Sequence, residues 1–222
     1  MDIVEAIRLR KSVRGFKPDP VPKRVLNDVL AIATRAPSAM NTQPWEVTVV
    51  AGEVLDRIRK SNVEMFKSGA RPYPDSEGKP FEGVYRQRQV ELAMQIFQLM
   101  GIPREDREKR ATWMQRGLRF FDAPAGIIIS VDRSVSQPYA MIDIGALVQT
   151  ICLAALNFGL GTCIHDQGIM YPDVARSIAG IPQSKRLVMC IAIGYPDWDF
   201  PANKLESKRE PIESITAWRG FD

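Results

Sequence analysis

Histidine and cysteine are scarce in this chain of 222 residues, which contains one histidine and three cysteines. The cysteines, Cys152, Cys163 and Cys190, all stand in apolar runs. Their odd number in such surroundings argues against a disulfide framework and is typical of a reducing compartment, so we expect a cytoplasmic protein. A single histidine with no Cys/His cluster argues against a structural zinc site, and no metal is expected.

A strong charge of one sign and long hydrophobic runs are also missing. The chain has 30 basic and 26 acidic residues, a scattered excess of +4 that does not indicate a nucleic-acid-binding surface. No stretch approaches the about 18 apolar residues of a membrane span, and the N-terminus lacks the apolar core of a secretory signal. We therefore expect neither nucleic acid nor membrane as a partner. The length and the 45% hydrophobic content predict one domain, residues 1–222.

Helices outnumber strands in the predicted pattern, and no G-x-G-x-x-G follows a strand, so a Rossmann nucleotide site is not supported. Apolar spacings of three and four predict helices, and short apolar runs predict strands. The predicted helices cover 2–9, 22–36, 53–66, 85–100, 107–119, 141–156 and 173–179, and the predicted strands cover 45–50, 123–131, a stretch near Ile164, and 187–193. Residues 67–83 are predicted to be a long surface loop and 195–222 an extended arm. The pattern is typical of a mixed α+β fold.

A basic cluster follows the first predicted helix. It comprises Arg10, Lys11, Ser12 and Arg14. Two guanidiniums, an ammonium and a hydroxyl could bind a phosphate, because guanidinium groups offer forked donors to its oxygens. The alternative is a solvated charge run that complements the helix dipole, and spacing alone favours that alternative. The tail holds a second possible phosphate clamp or a solvated run, at Lys204, Lys208 and Arg209.

Two further segments could approach a flat heterocycle. One is the loop ahead of the first predicted strand, with Pro37, Ser38, Ala39, Asn41, Thr42 and Gln43. The other is the glycine-rich segment 159–168, where glycines allow a ligand close to the backbone. Taken singly, the first is an ordinary helix-to-strand turn. In the segment 159–168, the surroundings of His165 are more typical of a structural histidine than of a catalytic one. Those of Cys163 are more typical of a small core residue than of a nucleophile.

Together these segments resemble the nitroreductase family. The matching pieces are RKSVRGF at 10–16, APSAMNTQPW at 36–45, GLGTC at 159–163, IAIGYP at 191–196 and KREP at 208–211. They are spread over nearly the whole chain, and the combination of the first two is specific. The resemblance implies an α+β fold with a central, mostly antiparallel sheet wrapped by helices. It also implies an intertwined homodimer with an extended C-terminal arm.

The resemblance implies FMN as cofactor, bound between the two subunits. Residues Arg10, Ser12 and Arg14, with Lys11, would contact its phosphate, ribityl chain and pyrimidine edge, and Arg209 with Lys208 would close on the phosphate. The partner subunit would supply Pro37, Ser38, Ala39, Asn41 and Gln43. The backbone of Thr162, Cys163, Ile164 and His165 would pass near the flavin N5 edge.

The implied reaction is ping-pong hydride transfer through flavin N5. NADH or NADPH would donate the hydride, and a small electron-poor acceptor, nitroaromatic or quinone-like, would then take it. Because the cofactor carries the chemistry, no catalytic side chain is expected. The alternatives are another flavin reaction on the same scaffold, such as reductive dehalogenation or conversion of a specific metabolite, or a non-enzymatic flavin-binding sensor or carrier.

Residues 61–120 depart from the family pattern. In relatives this variable region covers the flavin and shapes the substrate pocket. The candidates for lining that pocket are Tyr73, Phe81, Tyr85, Arg88, Trp113 and Phe120. The alternative for several of them is ordinary helix packing.

Overall fold

A four-stranded sheet forms the centre of the computed structural model, which describes residues 1–76 and 78–221. The strands are β1 (Trp45–Ala51), β2 (Ala125–Asp132), β3 (Gly161–His165) and β4 (Lys185–Gly194). Their order is β1-β2-β4-β3, and every neighbouring pair is antiparallel. The predicted α+β class with an antiparallel sheet is therefore confirmed, and β3 lies at an edge of the sheet.

Helices cover both faces of this sheet. In chain order they are α1 (Ile3–Leu9), α2 (Lys23–Ala33), α3 (Gly52–Lys67), α4 (Gly83–Leu99), α5 (Arg107–Leu118), α6 (Gln137–Leu156), α7 (Pro172–Ala179) and α8 (Ile212–Ile215). Successive side chains of a strand point to opposite faces, so β2 belongs to two cores. Ile127 and Ile129 pack with α2 and α6, whereas Ile128 packs with α3 and α7.

Element ends differ from the prediction where proline sets them. Helix α6 begins at Gln137, four residues before the predicted start, because Pro138 occupies its first turn, where a missing N–H costs nothing. Helix α2 begins at Lys23, directly after Pro22, and it ends at Ala33 instead of near Ala36. Pro37 disfavours helical backbone in the residue before it, which is consistent with the earlier end. One short helix, α8, was not predicted in the arm.

The sequence was expected to contain no apolar stretch long enough to span a membrane, and helix α6 shows that this expectation was wrong. Its 20 residues have a mean hydropathy of 1.7 in the most apolar window, so by length and composition it could cross a membrane. Half of that window is buried inside the fold. The helix also carries the buried Asp143, whose carboxylate accepts a hydrogen bond from the Ala39 N–H. These contacts make α6 a core helix of this domain.

The loop between α3 and α4 contains no helix or strand among its described residues, as predicted, but one acidic residue fixes it to the fold. Asp75 accepts hydrogen bonds from the Leu187 N–H and from Arg133 Nη2, both at 2.8 Å, and it also pairs with Arg176. Burial alone would raise the pKa of Asp75, but the Leu187 N–H and the two guanidiniums outweigh it and lower that pKa. The ionised carboxylate is therefore the form that holds the loop.

Candidate active site

Residues 10–14, which contain the basic cluster and are called the basic segment below, follow α1 and lie along the outer edge of β3. Ser12 pairs with Thr162 in a parallel bridge, and the Val13 N–H donates to the Thr162 carbonyl at 2.9 Å. An edge strand leaves backbone groups unpaired, and this segment satisfies some of them. Two of the segments singled out from the sequence, 10–14 and 162–165, therefore lie side by side.

A buried asparagine fixes the end of the basic segment. Asn203 Oδ1 accepts from the N–H groups of Arg14 at 2.6 Å and Gly15 at 3.2 Å. Its Nδ2 donates to the carbonyls of Gly15 at 2.8 Å and Asp197 at 2.7 Å. A Cβ on Gly15 would stand 2.1 Å from Phe200 Cγ, so only glycine fits there. Sequence reasoning missed Asn203, because an asparagine in a turn usually satisfies its own backbone.

Arg116 of α5 supports the same segment from a second side. Its Nη2 donates to the Arg14 carbonyl at 3.0 Å, its Nη1 pairs with Asp122 at 3.0 Å, and its guanidinium stacks over the Phe200 ring at 4.6 Å. Burial lowers the pKa of Arg116, although Asp122 opposes that effect. Arg116 was also missed from the sequence, since nothing in its local pattern distinguishes it from the other cations of α5.

The cations of the basic segment have no acidic partner. Arg10, Lys11 and Arg14 are half-buried, yet within residues 1–76 and 78–221 no carboxylate oxygen lies within ion-pair distance of any of them. By contrast, the half-buried Arg116 and the buried Arg176 are both paired with a carboxylate. Half-buried cations without a counter-charge create a positive potential that favours an anionic ligand. This donor set fits the phosphate and oxygen-rich chain of a flavin mononucleotide.

The His165 side chain points into the core. Its ring meets the rings of Phe120 and Phe121 edge-on, at centroid distances of 5.0 and 5.2 Å. Burial lowers the pKa of His165 to about 3, with a smaller effect of the Arg14 charge in the same direction. The imidazole is therefore neutral near neutral pH, and it lies away from solvent. This is the structural interpretation of the histidine, not the catalytic one.

Cys163 is equally unsuited to nucleophilic chemistry. Its side chain is buried, and burial raises the pKa of the thiol to about 11, although Arg14 and Ser12 act in the opposite direction. A thiol is nucleophilic as the thiolate, and this environment disfavours the thiolate. Cys163 is a small core residue, as the alternative interpretation held.

The neutral state of His165 predicts a pH dependence of stability. An unfolded histidine has a pKa of about 6.5, so below that pH protonation favours the unfolded chain, and stability falls until the folded pKa is reached. We expect the free energy of unfolding in urea to drop by about 2 kcal/mol between pH 7 and pH 5. His165 is the one histidine of the chain, so His165→Leu should largely remove this dependence. An unchanged slope in that variant would contradict the assigned burial.

The loop 37–43 is held in a strained conformation. Besides the bond from Ala39 to Asp143, Ser38 Oγ accepts from the Gln43 N–H at 2.9 Å. Met40, Asn41 and Gln43 have φ values of 49°, 58° and 45°, a left-handed region that is unfavourable for side chains. Such strain is concentrated at functional sites. No hydrogen bond or ion pair among the described residues joins this loop to residues 10–14 of the same chain.

The C-terminal arm contacts α4. Arg88 of α4 pairs with Glu210 at 3.0 Å, and the neighbouring Lys208 and Arg209 are exposed, with Arg209 donating to Ser207. No hydrogen bond or ion pair within the described part of the chain joins Lys208 or Arg209 to the basic segment. The large apolar side chains of residues 211–221 are between 56% and 74% exposed, at Ile212, Ile215, Trp218 and Phe221.

The proposed pocket-lining residues divide into two groups. Phe120 has 0% exposure and fills the space beside Gly126 and Gly168, so the prediction that it lines a pocket is wrong. The φ of 55° at Phe120 turns its side chain inward, which sequence periodicity could not reveal. The others remain accessible. They are Tyr73, Phe81, Tyr85 and Arg88, all exposed, and Trp113, which is half-buried.

Comparison with known proteins identifies the family. Residues 7–195 match the Nitroreductase family, so the chain belongs to it. It is 32% identical to a nitrobenzene nitroreductase from Ectopseudomonas oleovorans over 219 residues, 97% of this chain and 96% of the relative. Among solved structures, the FMN and NADPH-dependent nitroreductase NfnB from a Sphigopyxis strain superposes with a TM-score of 0.95 at 28% identity, covering both chains completely. NfnB from Mycobacterium smegmatis, solved in complex with NADPH, gives 0.91 at 28% identity, covering 98% and 100%.

Proposed function

We propose that this protein is an FMN-dependent NAD(P)H oxidoreductase that reduces nitroaromatic or quinone-like acceptors. The observation that carries the proposal is the cluster of half-buried, unpaired cations, Arg10, Lys11 and Arg14, along the edge strand β3. The nitrobenzene nitroreductase and the two NfnB structures support the cofactor, the donor and the acceptor class.

The residues of the basic segment bind and orient the cofactor. When FMN is bound, its phosphate, ribityl chain and pyrimidine edge would be held by Arg10, Ser12 and Arg14, together with Lys11. Asn203 and Arg116 fix the backbone of Arg14, and the Arg14 guanidinium donates from Nη1 to the Ser12 carbonyl at 3.3 Å.

The second half of each site comes from another subunit in this proposal. The chain is a homodimer, and the loop 37–43 of one copy faces the basic segment of the other, with Lys208 and Arg209 closing on the phosphate. The strained backbone of that loop supports this arrangement. The large exposed apolar residues of the arm also support it, because without a partner subunit these side chains would remain in water. The domain comprises residues 1–222, with 61–120 shaping the acceptor pocket.

The protein binds the cofactor and the acceptor, and it supplies no side chain that reacts covalently with them. When bound, FMN supplies hydride acceptance and hydride donation. Cys163 and His165 belong to β3, and their side chains are buried in neutral form, so they neither attack the acceptor nor exchange protons with it. The backbone of Thr162–His165 can then lie close to a flat ligand without a competing reaction. The three described cysteines are free thiols, which supports a cytoplasmic location.

Steady-state assays across acceptor classes test the proposal. Protein reconstituted with FMN is supplied with NADPH or NADH and with a nitrobenzene, a quinone or a halogenated phenol. We expect the nitroaromatic and the quinone to be turned over, with Cys163→Ser retaining most of the rate because the thiol is not a nucleophile here. A rate confined to the halogenated phenol would replace this function by reductive dehalogenation. Bound FMN that neither nicotinamide reduces would indicate a sensor or carrier.

A further inference from the structure

A large cavity lies between α4 on one side and, on the other, the first turn of α5 with the segment that precedes it. Its volume is about 810 Å³, within the range of roughly 300–1,000 Å³ that small-molecule sites occupy. It shares no residue with the cofactor site proposed above or with the six candidate pocket residues, and its whole lining lies within residues 61–120. Its lining consists of Arg86, Gln89, Val90, Ala93, Met94, Phe97, Gln98, Ile102, Arg104 and Arg110.

This lining combines an apolar floor with positive charge alone. Five of its residues are apolar, three are arginines and none is acidic. Within the described residues no carboxylate pairs with Arg86, Arg104 or Arg110. The nearby Asp106 is occupied, because it caps α5 and pairs with Lys109. The cavity therefore offers uncompensated positive charge above an apolar surface.

Arg110 is the pre-organised member of the three. Its guanidinium lies 4.9 Å from the centre of the Phe97 ring, and its Nη1 donates to the Arg104 carbonyl at 2.9 Å. It is half-buried, whereas Arg86 and Arg104 are exposed at the mouth. A guanidinium held in this way loses little freedom when it binds a carboxylate with two parallel hydrogen bonds.

We propose that this cavity binds a small aromatic carboxylate of the benzoate class, with Arg110 as its anchor. The carboxylate pairs with Arg110, and the ring packs on Phe97 and Met94, where aromatic and sulfur contacts are favourable. Arg86 and Arg104 raise the positive potential at the entrance and so attract the anion. Inorganic phosphate would use the charge but leave the apolar floor uncovered, which is why we assign the ligand to the aromatic carboxylates.

Isothermal titration calorimetry of the full-length, FMN-reconstituted protein tests this assignment without turnover. The probes are benzoate, benzyl alcohol and inorganic phosphate. We expect benzoate to bind, benzyl alcohol to bind at least about tenfold more weakly, and phosphate not to compete. Arg110→Met should weaken benzoate binding by about tenfold or more. Arg107→Met, on the same helix but outside the cavity, should leave it unchanged.

Three results would overturn the proposal. They are no benzoate binding at millimolar concentration, equal binding to Arg110→Met and the original protein, and binding of phosphate in preference to benzoate. The first would also be the outcome if a segment of a second copy fills the cavity. None of these results bears on the flavin, whose binding is followed separately by its absorbance, so failure here is distinguishable from failure of the proposed function.

Discussion

Replacing Arg14 by alanine should raise the dissociation constant for FMN by about 10- to 100-fold. A hydrogen bond to a charged group contributes roughly 1.5–3 kcal/mol, and each 1.4 kcal/mol is a factor of about ten in affinity. The substitution leaves the backbone bonds to Asn203 in place, because they use the Arg14 N–H and not its side chain. Titration of the apoprotein with FMN, followed by quenching of flavin fluorescence, measures the effect.

The matched control is Arg24→Ala on the exposed surface of α2. Its side chain is 92% exposed and lies 3.9 Å from Asp28, so its loss should not change flavin affinity. Arg209→Ala tests the arm in the same assay, and a weaker affinity is expected there too. Unchanged affinity in both Arg14→Ala and Arg209→Ala would mean that the cofactor lies elsewhere.

Replacing Asp75 by asparagine should lower the free energy of unfolding by about 3 kcal/mol. The side chain of Arg176 is 4% exposed, and Asp75 is one of its two acidic partners. Removing one member of a buried pair leaves an uncompensated charge, which costs roughly 3–5 kcal/mol, and the remaining bonds of Arg176 place the loss at the lower end. The urea midpoint at pH 7 reports the change.

The matched control for this variant is Asp173→Asn. Asp173 pairs with the same arginine, but its side chain is 57% exposed, so less than about 1 kcal/mol should be lost. The lowered pKa of Asp75 adds a pH signature. Its stabilisation is fully present above the unfolded pKa of about 3.9 and is lost as the pH falls below it, so Asp75→Asn should show a shallower loss in acid. Equal destabilisation by both substitutions would contradict the assigned anchor.

The fold was predictable where local pattern and burial agree. The apolar runs that became β2 and β4 and the periodicity of α2 led to the observed elements, because a buried strand or helix face must be apolar along its length. The neighbouring positions of 10–14 and 162–165 came from the family resemblance, since no periodicity relates segments about 150 residues apart.

What the sequence could not reveal are contacts that join distant polar residues. Asn203, Arg116 and Asp75 lie in unremarkable turns or on a polar helix, and each has a partner that is 58 to 189 residues away. Phe120 was predicted to line a pocket, but its side chain is buried. Its place just after α5 gave no sign of the left-handed backbone that turns this side chain inward. Such interactions depend on tertiary placement, which a window of sequence does not contain.

The most direct test of the central claim is the anaerobic addition of NADPH to the purified protein. We predict a yellow protein with the absorbance of bound flavin, and bleaching of that absorbance on adding NADPH or NADH, followed by its return when a nitroaromatic acceptor is added. A colourless protein that cannot be reconstituted with FMN would contradict the account.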